Sequence, residues 1–185
     1  MHRCARQTGF TLFELMATLA IAGIGLSLAV PSLRNIVADN QQTTAINELV
    51  ATLHLARSAA ITRNEAVALC PSSSGSSCDD GDWEDGWVYF TDTDRNRQVS
   101  AKEVILGTSP GIANLEIKSA EFDSILIYRP SGHLLVDSQA ELRGEFIFCD
   151  PRGAEFTSRL VIHVTGKPRL DNRDLDPSAS PCEAV

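Results

Sequence analysis

From Phe10 to Val30 the chain runs for 21 residues with a single charge, Glu14. A helix rises about 1.5 Å per residue, so this run reaches roughly 32 Å, the thickness of a bilayer's hydrocarbon core. Arg3 and Arg6 precede it closely, a bias that keeps the amino end in the cytoplasm. A secretory signal has a shorter apolar core and a small-residue cut site. Here "SLAVP" offers no A-x-A, and the apolar pattern continues beyond Pro31, so the segment is expected to stay with the mature chain. Glu14 is the anomaly. A carboxylate inside a spanning helix costs on the order of 2–3 kcal/mol and tends to mark function. A carboxylate near the interface simply reaches water, and periodicity alone does not choose between the two.

Past Pro31 the pattern turns amphipathic. Ile46, Leu49, Val50 and Leu53 fall at i, i+3, i+4 and i+7, and Ala56 and Ala60 continue the face. One helix is expected from about Phe10 to Arg63, with Gly23, Gly25 and Pro31 weakening or kinking it without ending it. Beyond residue 64 the pattern changes to short runs rich in Val, Ile, Phe and Tyr, separated by Gly, Pro, Asp and Ser. Strands are expected at 66–70, 86–92, 103–107, 114–119, 124–130, 132–137, 144–150 and 158–164. A long helix followed by a run of strands predicts an α+β fold, with antiparallel sheet packed on the helix's apolar stripe. Trp83 and Trp87 read as core and loop clamps. His54 reads as a packing or surface residue.

Five cysteines occur, and Cys4 precedes the apolar run. The other four, Cys70, Cys78, Cys149 and Cys182, form an even set in the part expected outside the cytoplasm, which favours disulfides. Three pairings are open. The preferred one joins Cys70 to Cys78 across a short polar loop and Cys149 to Cys182, pinning the tail. Free thiols are the alternative, and no CxxC spacing points to zinc. The net charge is −8; without the leader, 14 basic residues face 24 acidic ones. Such a surface repels polyanions as a whole, so nucleic-acid binding has to be local.

"TGFTLFEL", residues 8–15, resembles the class III leader of type IV pilins and type II secretion pseudopilins. The resemblance implies that a prepilin peptidase cuts between Gly9 and Phe10 and methylates the new amine of Phe10. It also implies that Glu14 faces the amino terminus of a neighbouring subunit during assembly. An ammonium and a carboxylate in a low-dielectric bundle each need a partner, and pairing offsets their desolvation. "LHLARSAAITRN" at 53–64, "VALC" at 67–70 and the tryptophan-rich stretch from Trp83 to Asp92 are similar to the GspH/FimT-type subgroup. The likeness weakens after about Glu103. The organisation it implies is a leader over 1–9, a transmembrane helix over 10–30, an amphipathic helix over 31–64 and a periplasmic β-rich domain over 65–185. Its implied partners are other pilins or pseudopilins, the peptidase and an inner-membrane assembly platform. The helix around Gly23, Gly25 and Pro31 is implied to melt in part in a filament.

Two stretches carry further chemistry. "DTDRNRQVSAKE", residues 92–103, puts oxygen-bearing side chains at loop positions one, three, five, seven, nine and twelve: Asp92, Asp94, Asn96, Gln98, Ser100 and Glu103. Hard-cation loops such as calcium loops use this spacing. Against it, Arg97 stands where the turn wants glycine, a strand precedes where an EF-hand has a helix, and Arg95 and Arg97 oppose a cation. The plain reading is a polar turn. In the tail, Lys167, Arg169 and Arg173, with Arg152 and Arg159 upstream, offer a local basic patch. Some members of the subgroup are DNA receptors for natural transformation with a Gly-Arg-x-Arg motif, and Gly166-Lys167-Pro168-Arg169 is the similar stretch here. Lysine lacks arginine's fork, and Asp171, Asp174 and Asp176 work against the patch. Enzyme chemistry finds no footing: neither G-x-S-x-G nor H-E-x-x-H occurs, and His133 and His163 have no nucleophile at recognisable spacing. The reading is a structural subunit of a pilus or pseudopilus, with a pilus-borne DNA-binding module as the alternative.

Overall fold

The computed structural model describes residues 9, 11–79, 81–112, 114–135, 143–171 and 182, and of residues 28–31 the backbone alone. Helix α1 runs from Leu12 to Arg63, 52 residues, and passes Pro31 without a break in its assignment. Thr11 caps it: the Thr11 Oγ1 accepts the Glu14 backbone N–H at 3.2 Å. Asn64 ends it in the left-handed region at φ 54°, with the Glu65 N–H returning to the Ala60 carbonyl at 3.3 Å. Asparagine accepts that backbone more readily than most residues.

The chain divides into two compact units, residues 1–40 and 41–185. In the first, apolar side chains lie exposed on all sides: Phe13 is 81% and Leu19 64% accessible. α1 holds an 18-residue apolar window of which none is buried, long enough to cross a membrane. In the second unit, Ala45, Leu49, Leu53, Ala56 and Ala60 are all essentially inaccessible. Their spacing of three and four places them on one stripe, as the sequence pattern requires.

Two antiparallel four-stranded sheets complete the second unit. The first has the order β3-β2-β1-β5, from β1 (Val67–Pro71), β2 (Gly86–Thr91), β3 (Ile105–Pro110) and β5 (Leu126–Tyr128). The second has the order β4-β6-β7-β8, from β4 (Glu116–Lys118), β6 (Arg143–Cys149), β7 (Ser158–His163) and β8 (Pro168–Leu170). The helix stripe joins Val67, Leu69, Trp87, Tyr128, Phe146, Phe148, Leu160 and Ile162 in one core. β1 alternates: Val67 and Leu69 enter that core, while Ala68 and Cys70 join Val88, Phe90 and Ile127 in a second cluster on the other face. Cys78, Val99 and Leu135 pack against this second cluster, so the loops after β1 and β2 lie on the sheet's far face.

The described helix begins at Leu12, close to the expected start near Phe10. Several expectations need correction. Strand 132–137 reduces to one bridge, Leu134 to Tyr128, with residues 136 and 137 outside the described set. The strand expected at 103–107 is displaced to Ile105–Pro110, because Thr91 and Val104 instead close the base of a loop: the Thr91 N–H donates to the Val104 carbonyl at 3.0 Å. The stretch at 166–170, read as tail, contains the edge strand β8, which pairs Leu170 with Leu160 and Arg169 with Val161.

Candidate functional site

The amino-terminal segment places Glu14 in the first turn of α1, exposed, three residues after its capping threonine. Thr11-Leu12-Phe13-Glu14 has the T-x-x-E spacing of a capping box, a signal that needs both residues to be read as a pair. An anionic residue in a first turn is favoured by the helix dipole, by about 0.3–1 kcal/mol. Glu14 is therefore tolerable for the helix and still open to an outside partner. Gly9 lies just before the cap, and Phe10 lies outside the described residues.

The helix motif at 53–64 ties the second unit together. Leu53, Ala56 and Ala60 enter the core. The Arg57 Nε donates to the Gly132 carbonyl at 2.9 Å. That turn packs so closely that a Cβ on Gly166 would stand 2.4 Å from the Gly132 oxygen. With φ +76°, Gly166 needs to be glycine on both counts. The Trp87 indole donates to the Thr52 hydroxyl at 3.2 Å, and the Trp83 indole to the Phe122 carbonyl at 2.8 Å, so both tryptophans are clamps. Glu84, which the sequence did not flag, accepts the Ile117 N–H at 2.9 Å. Burial pushes its carboxyl above the usual range. Disulfides join Cys70 to Cys78 and Cys149 to Cys182.

In the loop between β2 and β3, Asp92, Asp94 and Glu103 come together, one carboxylate oxygen from each lying within 4.8 Å of the others. Asn96 is bonded to Asp94 and to the turn that follows. Its amide donates to Asp94 at 3.1 Å and its Oδ1 accepts the Gln98 N–H at 2.7 Å, an internal turn. Desolvation first, then the charges of Asp94 and Asp92, raise the Glu103 carboxyl above its ordinary value. Arg97 takes φ 64°, so the position that wants glycine does adopt the left-handed backbone.

Among the described residues, three arginines of the carboxyl-terminal part have acidic partners. Arg152 pairs with Asp150 at 2.7 Å, Arg159 with Glu145 at 3.6 Å and Arg169 with Asp171 at 3.5 Å. The Arg152 guanidinium holds the Asp150 carboxyl below its usual range. Lys167 is exposed, and Arg173 lies outside the described residues. His133 meets the Ser131 hydroxyl at 3.2 Å, and His163 is exposed at the end of β7.

A family model described as type II transport protein GspH matches residues 45–166. Another, the prokaryotic N-terminal methylation motif, matches residues 4–30. Two curated relatives, each a fimbrial protein of Pseudomonas aeruginosa, are 40% identical over 62 residues, which is 34% of this chain and 40% of theirs. The chain thus spans about two fifths of the length of the curated relatives it matches. A crystal structure of the type IV minor pilin FimU of Pseudomonas aeruginosa superposes with a TM-score of 0.55 at 21% identity, covering 77% of this chain and 93% of that one. A second crystal form gives 0.52, with 75% and 96% covered. At that identity the likeness speaks for the fold, a long amino-terminal helix on antiparallel sheet. With the GspH model covering well over half of its residues, the chain belongs to the GspH family, a pilin and pseudopilin family of structural subunits rather than enzymes.

Proposed function

We propose that the chain is a membrane-anchored subunit that is processed and then drawn into a type IV pilus or type II secretion pseudopilus, with a role in assembly or at the tip. Prepilin peptidase cuts between Gly9 and Phe10 and methylates the Phe10 amine. Residues 10–30 hold the subunit in the bacterial inner membrane, and the β-rich part faces the periplasm. The partners are other pilins or pseudopilins and the inner-membrane assembly platform.

The observation that carries this reading is the exposed apolar surface of α1 with one carboxylate, Glu14, at its capped start. Such a surface needs lipid or other helices around it. Once Gly9 is cut away, each subunit brings one ammonium and one carboxylate to the same depth, and a neighbour's amine satisfies Glu14. Removing one partner of a buried ion pair costs about 3–5 kcal/mol, or roughly 100-fold or more in association. Tagged full-length protein, extracted from membranes, is expected to copurify with other pilin-type subunits. Glu14→Gln is expected to lose them while its thermal unfolding is unchanged; retention of the same partners would count against the pairing.

DNA binding is the weaker reading, since Arg152, Arg159 and Arg169 already have acidic partners. A gel shift at low salt tests it. Binding that disappears in the double variant Lys167→Ala, Arg169→Ala and falls steeply with salt would favour it.

A further inference from the structure

We propose that a cleft on the first sheet, on the face turned away from the helix stripe, receives an extended acidic peptide segment of a partner, with one carboxylate held between Arg95 and Arg129. The inference does not depend on the assembly role above.

The cleft has a volume of about 780 Å³. One wall is the loop after β2, with Arg95 and Arg97, and the other is the end of β5, with Arg129. Ala66, Ile127 and Leu135 give it an apolar floor, continuous with the second cluster. Arg97 also lines a smaller hollow of about 400 Å³, whose apolar residues are Val99 and Ile125. Ile125, Ile127 and Arg129 alternate along β5 and its flanks, so the two hollows follow one line. An elongated trough with an apolar floor and a few polar anchors suits a peptide chain better than a compact ion.

Charge narrows the occupant further. Three arginines line the larger hollow of a chain whose net charge is −8. Two carboxylates share it, Glu65 and Asp92. Asp92 is 2% exposed and accepts the Arg97 backbone N–H at 3.3 Å, so its charge is held below the surface. Among the described residues no ion pair engages Arg95 or Arg129, and both are exposed. Two guanidinium groups on facing walls can grip one carboxylate through paired N–H bonds. The small positive excess matches a single carboxylate. A run of phosphates would meet Asp79 in the smaller hollow and the acidic surface beyond it. The backbone points the same way. Arg95 and Arg97 hold the left-handed conformation, at φ 61° and 64°. Residues other than glycine rarely do so, and such backbone gathers at ligand clamps.

The probe is the acetylated, amidated tripeptide leucine-glutamate-leucine, titrated into the full-length chain in detergent and followed by saturation-transfer NMR, with empty micelles as the blank. It is expected to bind at least about tenfold more tightly than the same peptide with glutamine in place of glutamate, the gain of a charge-assisted bond. That preference is expected to shrink as salt rises. The double variant Arg95→Gln, Arg129→Gln is expected to lose it while keeping the unfolding midpoint, and each single variant to lose part of it. Arg34→Gln, an exposed arginine of the other unit, is expected to leave it intact. Equal binding of the two peptides, an undiminished preference in the double variant, or tighter binding of a single-stranded oligonucleotide through the same two arginines would overturn the assignment.

Discussion

Two stretches of one helix make opposite uses of apolar residues. Between Leu12 and Leu26 every leucine and isoleucine is more than half exposed. Between Ala45 and Ala60 the apolar residues on one stripe are buried to 1% or less. Composition does not separate the stretches, since both are rich in alanine and leucine; arrangement does. In the later one, apolar residues recur every three or four positions on one stripe and most polar residues lie off it, so a single face meets the sheets. In the earlier one they occupy all sides, and nothing within the described chain covers them. The later stretch is stabilised by its own protein. The earlier one takes its stabilisation from lipid or neighbouring subunits.

That contrast can be broken by substitution, and the largest effect is expected in the core. Leu53→Ala removes a fully buried side chain and is expected to cost about 2–5 kcal/mol in denaturant unfolding of the β-rich unit. Leu19→Ala is expected to change the same transition by less than about 0.5 kcal/mol. Equal costs would erase the distinction.

Arginines sharpen it at the next level. Arg57→Ala loses a charge-assisted bond to the Gly132 carbonyl, worth about 1.5–3 kcal/mol, whereas the exposed Arg34→Ala is expected to leave the unfolding midpoint alone. The smallest effect belongs to Glu84. Its folded carboxyl titrates above its unfolded value, so its contribution is fully present below the unfolded pKa and is lost as pH rises through the folded one. Glu84→Gln is therefore expected to gain stability relative to the unaltered chain between about pH 4 and 7, by less than about 1 kcal/mol after solvent screening. Urea midpoints at the two pH values check the sign.

What could be read from sequence followed from how strongly each signal repeats. The α1 stripe repeats over several turns and was placed to within two residues at either end. β2, β6 and β7 are longer apolar runs and emerged near their expected positions. β8 did not, because Pro168-Arg169-Leu170 has neither alternation nor length. Proline is tolerated there only because the strand lies on an edge. The division into two sheets was also out of reach, since strand order depends on contacts between distant residues. At the site, single letters were legible and their joint roles were not. Thr11 acts as a cap through its hydroxyl on the Glu14 backbone N–H, and Asp92, Asp94 and Glu103 meet only once their loop has folded.

The account turns on the amino terminus, and mass spectrometry of the protein extracted from membranes of cells holding the peptidase tests it most directly. The predicted result is a chain that starts at Phe10 and carries one added methyl group on its amine. A chain that still begins at Met1, with Gly9 and Phe10 joined, would contradict it.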